Sequence, residues 1–263
     1  MFAAELSIRK QEARNYANFI YFLESGEHFS NTTEFSFDKI MIKTTIKASI
    51  IILLYNAIES TITKCLHKIH EVLKANHLRY DQCNEQLKKT IMVYYKYAES
   101  KCENTHESVI YSMAAMDFVR GVATFSLSYD EMSRHYPLHS GNLDSMAIKK
   151  IFEKYGISFG ERTSELQTIK TLRNKLAHGE ASFEEVGREI SSQQIGIMIE
   201  KTFEYLEKAE SLSQFLLGLI NDILDMSRIE SGKLELASEP FDLFEFAEKL
   251  RAMFQKTIEE KGV

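Results

Sequence analysis

Proline and glycine are scarce in this chain: two prolines, Pro137 and Pro240, and eleven glycines among 263 residues. From Glu27 to Arg120 there is neither. Sandwiches and barrels need turn residues every ~8–12 residues, and parallel α/β folds need glycine at their strand ends. Their lack predicts an all-α chain. Cysteine is sparse too. Cys65, Cys83 and Cys102 are an odd number at a spacing that matches no zinc or CxxC pattern, so they read as free thiols in a reducing cytoplasm. Positive charge is in deficit: the net charge is −6 and the isoelectric point about 5.8. That excludes the broad basic face of a non-specific duplex binder, though not a small cationic site. Long apolar runs are missing as well. The longest, Ile50 to Tyr55, falls far short of the ~20 residues of a membrane helix. The charged N-terminus, MFAAELSIRKQEARNYANF, is unlike a signal peptide. The expectation is a soluble, cytoplasmic protein without a membrane partner.

What the chain does contain is helical periodicity. Leu6, Ala13, Tyr16, Ile20 and Leu23 predict a first helix from Ala3 to Glu24. A second, over 37–75, has an all-round apolar middle and reads as the central pillar of a bundle. A third spans 82–98. Between Val109 and Leu138 the pattern suggests a short helix, with Met113 and Met116 as core filler, then a stretch that could be extended. Asn142 or Asp144 caps a helix that stops at Gly156, and another runs from Ser164 to Ala177 and stops at Gly179. GEASFEEVGRE reads as a loop. Helix resumes near Ser191 or Ser192 and continues through Ile229. At 1.5 Å per residue that is ~50 Å, long for a domain of this size. After Gly232, KLELA alternates like a strand, and FDLFEFAEKLRAMFQKTIEEKG follows as an amphipathic helix.

Two resemblances attach to these segments. LLYNAIESTI, NLDSMAIKKIFEKYGI and above all TLRNKLAHGEASFEEVGRE make residues 1–210 similar to the HEPN family, all-helical domains of prokaryotic RNases and toxins. The last segment carries the family's Arg-x4–6-His signature as Arg173 and His178, with the polar Asn174 directly after the Arg. The tail, LSQFLLGLINDILDMSRIESGKLELASEPFDLFEFAEKLRAMFQKTIEEKGV, resembles a sensor histidine kinase. Residues 211–232 match its second dimerisation helix, and 233–263 match the start of its ATP-binding domain. The H-box and the boxes that hold ATP and Mg²⁺ are not in this sequence, so the tail is not a working kinase as it stands. His178 precedes Asn221 by 43 residues, near the spacing of a phospho-accepting His, but Gly179 follows it and no Arg-Thr-Pro does.

The HEPN resemblance implies RNA cleavage at a composite cleft between two protomers. Metal-free cleavage needs a base for the 2′-OH, an acid for the leaving 5′-oxygen, and positive charge on the phosphorane. Histidine titrates near neutrality and can do the proton work. Arginine's planar fork holds two phosphate oxygens and stays charged. Asn174 could orient the imidazole or add a donor. Arg173 and His178 lie about 140° apart on an ideal helix, so one helix alone does not aim them together. The competing reading is a helix C-terminus where cations complement the dipole. A second match, Arg134 and His139, contains Pro137 and reads as coincidental. Glu59, in the apolar second helix, is the best partner to hold Arg173 from behind. His67 and His70 lack a third metal ligand at suitable spacing, and no metal or other cofactor is expected. The position two after His178 is Glu180, not the Tyr that adenylylating antitoxins modify.

The expected function is therefore a homodimeric endoribonuclease, a prokaryotic toxin or anti-phage abortive-infection effector, with RNA as substrate and an antitoxin or sensor as a further partner. The alternatives are an idle HEPN scaffold and a fragment of a HEPN–kinase signalling protein. Leu212, Leu216, Ile220, Ile223 and Leu224 form an apolar stripe expected to pair with its copy in a second chain.

Overall fold

The computed structural model describes residues 2–25, 39–139, 141–160, 162–230, 242–244 and 248, the side chains of 2, 39, 215–217 and 219–230 excepted. The chain divides into two compact units, residues 1–224 and 225–263. Helix α1 runs Phe2–Glu24, α2 Lys39–Ala75, α3 Glu85–Ser100, α4 Thr105–Val119 and α5 Tyr129–His135. Then come α6 Ser145–Lys154, α7 Ser164–Ala177, α8 Phe183–Glu189 and α9 Ser192–Glu230, with one 3₁₀ turn at Tyr80–Gln82. Among the described residues there is no strand. The fold is all-α, as the scarcity of Gly and Pro predicts. KLELA lies outside the described residues.

Helix α2 is the pillar. By length and composition it could cross a membrane, but here Ile50, Ile51, Leu54, Tyr55, Ile58 and Ile62 are fully buried against α1, α5, α7 and α8. Each such side chain stabilises the fold by about 1.5–3 kcal/mol. On another side α3 packs on α4, α5 and α6. Helix α9 closes the bundle: Arg14 of α1 bonds Glu200 in a two-pronged fork at 2.9 Å, and the Tyr205 hydroxyl donates to the Ser145 carbonyl. His70 is locked in the core. Its Nδ1–H donates to the Leu127 carbonyl at 3.0 Å while Nε2 accepts from the Tyr155 hydroxyl at 2.7 Å. Burial pushes its pKa down to about 4.

Three expectations are corrected. GEASFEEVGRE is not all loop, because α8 forms within it on a capping box: the Ser182 hydroxyl accepts from Glu185 N–H while the Glu185 carboxylate accepts from Ser182 N–H. Gly187 then lets α8 touch α2 backbone to backbone; a Cβ there would lie 2.0 Å from the Thr44 carbonyl oxygen. The buried Lys47 ammonium donates to the Ile190 carbonyl at the end of α8, which suits the negative end of a helix. Met113 and Met116 are not core filler but 58% and 49% exposed. With Val109, Ile110 and Val119 they form an outward apolar face on α4, whose buried residues are only Ala115 and Phe118. Leu212 is half-buried against the core rather than uncovered, and Ser213 beyond it is buried. The side chains of Leu216, Ile220, Ile223 and Leu224 lie outside the described residues.

Candidate active site

Helix α7 is positioned at its start and at its middle. Thr163 caps its start, and Lys170 pairs with the buried Asp144, which itself caps α6 by accepting from Ala147 N–H. Hydrogen bonds to Lys170 and Ala147 hold the Asp144 carboxyl below its usual pKa, although burial pushes the other way. Leu166, Ile169 and Leu172 bury one face of α7. Arg173 lies beside that face. Its guanidinium carbon stands 4.4 Å from the centroid of the Tyr55 ring of α2, a cation–π contact that fixes the plane of the fork. Nη1 donates to Asn174 Oδ1 at 3.2 Å, and Asn174 Nδ2 donates to Asn142 Oδ1 at 2.8 Å. Among the described residues the guanidinium donates only to Asn174, so its other N–H groups stay available to anionic oxygens.

Tyr55 ties this arginine to the 139–143 segment. Its hydroxyl faces two acceptors, Glu59 Oε1 at 3.2 Å and the Gly141 carbonyl, and accepts from Leu143 N–H at 3.2 Å. Burial first, then the Glu59 charge, raise its pKa, so the phenol stays protonated. Glu59 thus meets Arg173 by way of Tyr55 rather than in a direct ion pair. His139 sits at the edge of the group. Its Nδ1 accepts from Gly141 N–H, which leaves Nε2 to donate to the Tyr129 hydroxyl at 3.2 Å. Burial lowers its pKa against the pull of Glu59.

His178 is the residue after α7, with φ −91° and ψ −1°, and its backbone N–H closes the last turn onto Asn174 O. Gly179 turns the chain away at φ +69°, a conformation that suits glycine. The imidazole is exposed and makes no hydrogen bond or ion pair among the described residues. One protomer therefore brings Arg173, Asn174, Tyr55 and Glu59 together and leaves His178 at the helix end, facing solvent. Arg134 lies exposed on α5, apart from its sequence mate His139. His67 reaches Asp130 at 3.6 Å, and no three His, Cys, Asp or Glu side chains come together as a metal site among the described residues.

Sequence reasoning passed over Tyr55, read Asn142 only as a candidate helix cap, and set His139 aside with Arg134 as a coincidental match. Tyr55 and Glu59 stand at i, i+4 on an otherwise apolar helix face, the spacing at which two side chains meet, and that was the legible signal. Asn142 and His139 carry none, because their loop is placed by tertiary contacts.

A HEPN module, described as HEPN_MAE_28990-like HEPN, matches residues 2–230. The class of protein is thus fixed by nearly the whole length of the bundle. The chain belongs to the HEPN family. It is also similar, over a short stretch, to histidine kinases. It is 40% identical over 60 residues to probable histidine kinase 3 of Oryza sativa, and 38% over 60 to histidine kinase 3 of Arabidopsis thaliana. With the circadian input-output histidine kinase CikA of Synechococcus elongatus it shares 39% over 67 residues. These stretches are 23%, 23% and 26% of this chain, and the chain spans only 6%, 6% and 8% of those kinases. No solved structure matches.

Proposed function

We propose that this HEPN protein is a metal-independent endoribonuclease that works as a homodimer and serves as a toxin or abortive-infection effector. The observation that supports this most is Arg173, held over the Tyr55 ring with N–H groups still available, on the same helix that ends in an exposed imidazole without a hydrogen bond among the described residues. An arginine needed only to complement a helix dipole would not require that clamp. In the proposed reaction Arg173 holds the non-bridging oxygens of the scissile phosphate, and charge building on the phosphorane strengthens that contact. His178, from one protomer or its partner, takes the 2′-OH proton, and the 2′-oxygen attacks phosphorus. The 5′-oxygen leaves with a proton from the second imidazole or from water. A 2′,3′-cyclic phosphate and a 5′-OH remain. Pairing with a second copy would supply the second protomer that the composite cleft requires.

The test is to incubate the purified chain with RNA in EDTA and identify the product ends. Cleavage to cyclic phosphate and 5′-OH supports the reading. A 5′-phosphate, or a need for Mg²⁺, overturns it. A second reading rests on the histidine-kinase similarity: a HEPN scaffold serving a signalling protein, its Arg–His pair idle. It predicts a dimer that cuts no RNA.

A further inference from the structure

A groove of about 300 Å³ lies between α3 and α6, lined by Lys89 and Thr90 on one wall, Lys150 and Lys154 on the other, with Tyr136 and Glu153. Three lysines and one glutamate line it, in a chain whose net charge is −6. Glu153 itself is drawn to Lys149 at 3.7 Å. Lys89 and Lys150 are exposed and form no salt bridge among the described residues. Lys154 stands over the Tyr136 ring, 4.7 Å from its centroid, and its carbonyl is held by the Thr90 hydroxyl at 2.9 Å, which fixes α6 against α3. Tyr136 in turn stacks on Tyr97, with centroids 5.3 Å apart and planes 26° from parallel. Tyr97 is 48% exposed. Unpaired cations along a groove beside an open aromatic face make up the chemistry that holds a single nucleic-acid strand: ammonium groups on phosphates, a ring under a base.

The groove is tied to the Arg173 site by a short piece of chain. Tyr136 lines the groove, while Asn142 bonds Asn174. Six residues of extended backbone reach at most about 20 Å, so a few nucleotides can span both. We propose that this groove binds the single-stranded flank of the RNA whose scissile phosphate sits at Arg173, with phosphates on Lys89 and Lys150 and a base on the Tyr97–Tyr136 stack. The proposal rests on the ribonuclease reading for the identity of the strand, but its test does not.

The probe is a fluorescent single-stranded RNA of about 12 nucleotides, within the span such grooves cover, bound to the full chain carrying His178→Ala and followed by anisotropy across a salt series. In that background Lys89→Gln with Lys150→Gln is expected to weaken binding about tenfold or more at low salt. It should also flatten the slope of log K against log salt by about 1.4, two phosphates at roughly 0.7 each. Tyr97→Ala should weaken binding about tenfold and leave that slope unchanged, because stacking releases no counterions. All three side chains are exposed, so circular dichroism should show unaltered folding. Affinity and slope that ignore the two lysines overturn the proposal. So does binding of free AMP that needs the lysines while the 12-mer does not, which would make the groove a nucleotide site. If the 12-mer depends on the lysines but the parent chain cuts no RNA, the ribonuclease reading falls and the groove stands as an RNA site.

Discussion

The Arg173 guanidinium carbon stands 4.4 Å from the centroid of the Tyr55 ring, and the Tyr55 hydroxyl accepts from Leu143 N–H and faces Glu59 and Gly141. One side chain thus aims the arginine with its ring and anchors the 141–143 backbone with its oxygen. The two roles separate by substitution. Tyr55→Phe keeps the ring and leaves Leu143 N–H without a partner in the core, a loss of about 1–3 kcal/mol. Urea unfolding should register it, with RNA cleavage reduced far less than by Tyr55→Ala.

Arg173→Lys keeps the charge and loses the planar fork. If Arg173 holds the phosphorane, cleavage should fall about 100-fold or more while the melting temperature stays close to the parent's. An active Arg173→Lys chain would show that charge alone suffices.

His178→Ala should abolish cleavage without loss of stability, since the imidazole makes no contact that the fold uses. Gly179→Ala is the subtler test. No atom blocks the new Cβ, but φ is +69°, so the change costs about 1 kcal/mol. Because the turn that follows His178 is strained, activity should drop while the fold persists. Activity equal to the parent's would mean that the aim of His178 does not depend on this turn.

Gly187→Ala should be the most damaging glycine-to-alanine change among the described residues. Its methyl group meets backbone rather than a movable side chain, so α8 must lift from α2. The cost is expected at about 3 kcal/mol or more, read as a lowered urea midpoint or failure to accumulate. Normal stability would show that α8 does not rest on Thr44.

Acid should weaken the fold before the carboxylates titrate. His70 is neutral in the core with a pKa near 4, against about 6.5 unfolded. Between those values the unfolded chain binds more protons, so stability is full above pH 6.5 and falls as pH drops toward 4, by about 3 kcal/mol in all. His70→Gln should flatten the slope of the unfolding free energy between pH 6.5 and 5, whatever it does to stability at pH 7.5. An unchanged slope would rule out His70 as its source.

The family and the all-α class were legible because they rest on absences and on one dense segment, TLRNKLAHGE. Helix α7 and its stop at Gly179 were legible because capping chemistry is local. Helix α8 was also locally encoded, in Ser182-x-x-Glu185, but its few apolar residues hid it from periodicity. Met113 and Met116 misled for the opposite reason: periodicity marks an apolar stripe and cannot say whether anything lies against it. Tyr55 as the arginine's seat needed two helices, distant in sequence, to be brought together.

A chain cut after Gln214 should keep the helical core, because buried packing reaches Ser213. Light scattering on both forms tests whether residues 215–263 hold a dimer together. An unchanged dimer of the cut chain makes them passengers, and a monomeric full chain removes the two-protomer cleft.

The outward apolar face of α4 has a kinetic consequence. Ala115 and Phe118 are its only buried residues, with Tyr111 half-buried and Ser112 bonded to Glu99 of α3, so α4 gives up less buried surface on detaching than α2 does. Its amide protons should therefore exchange with solvent through openings far cheaper than global unfolding, while those of α2 wait for the whole bundle to come apart. In deuterated solvent the helix that turns its oily face to water would let go well before the pillar.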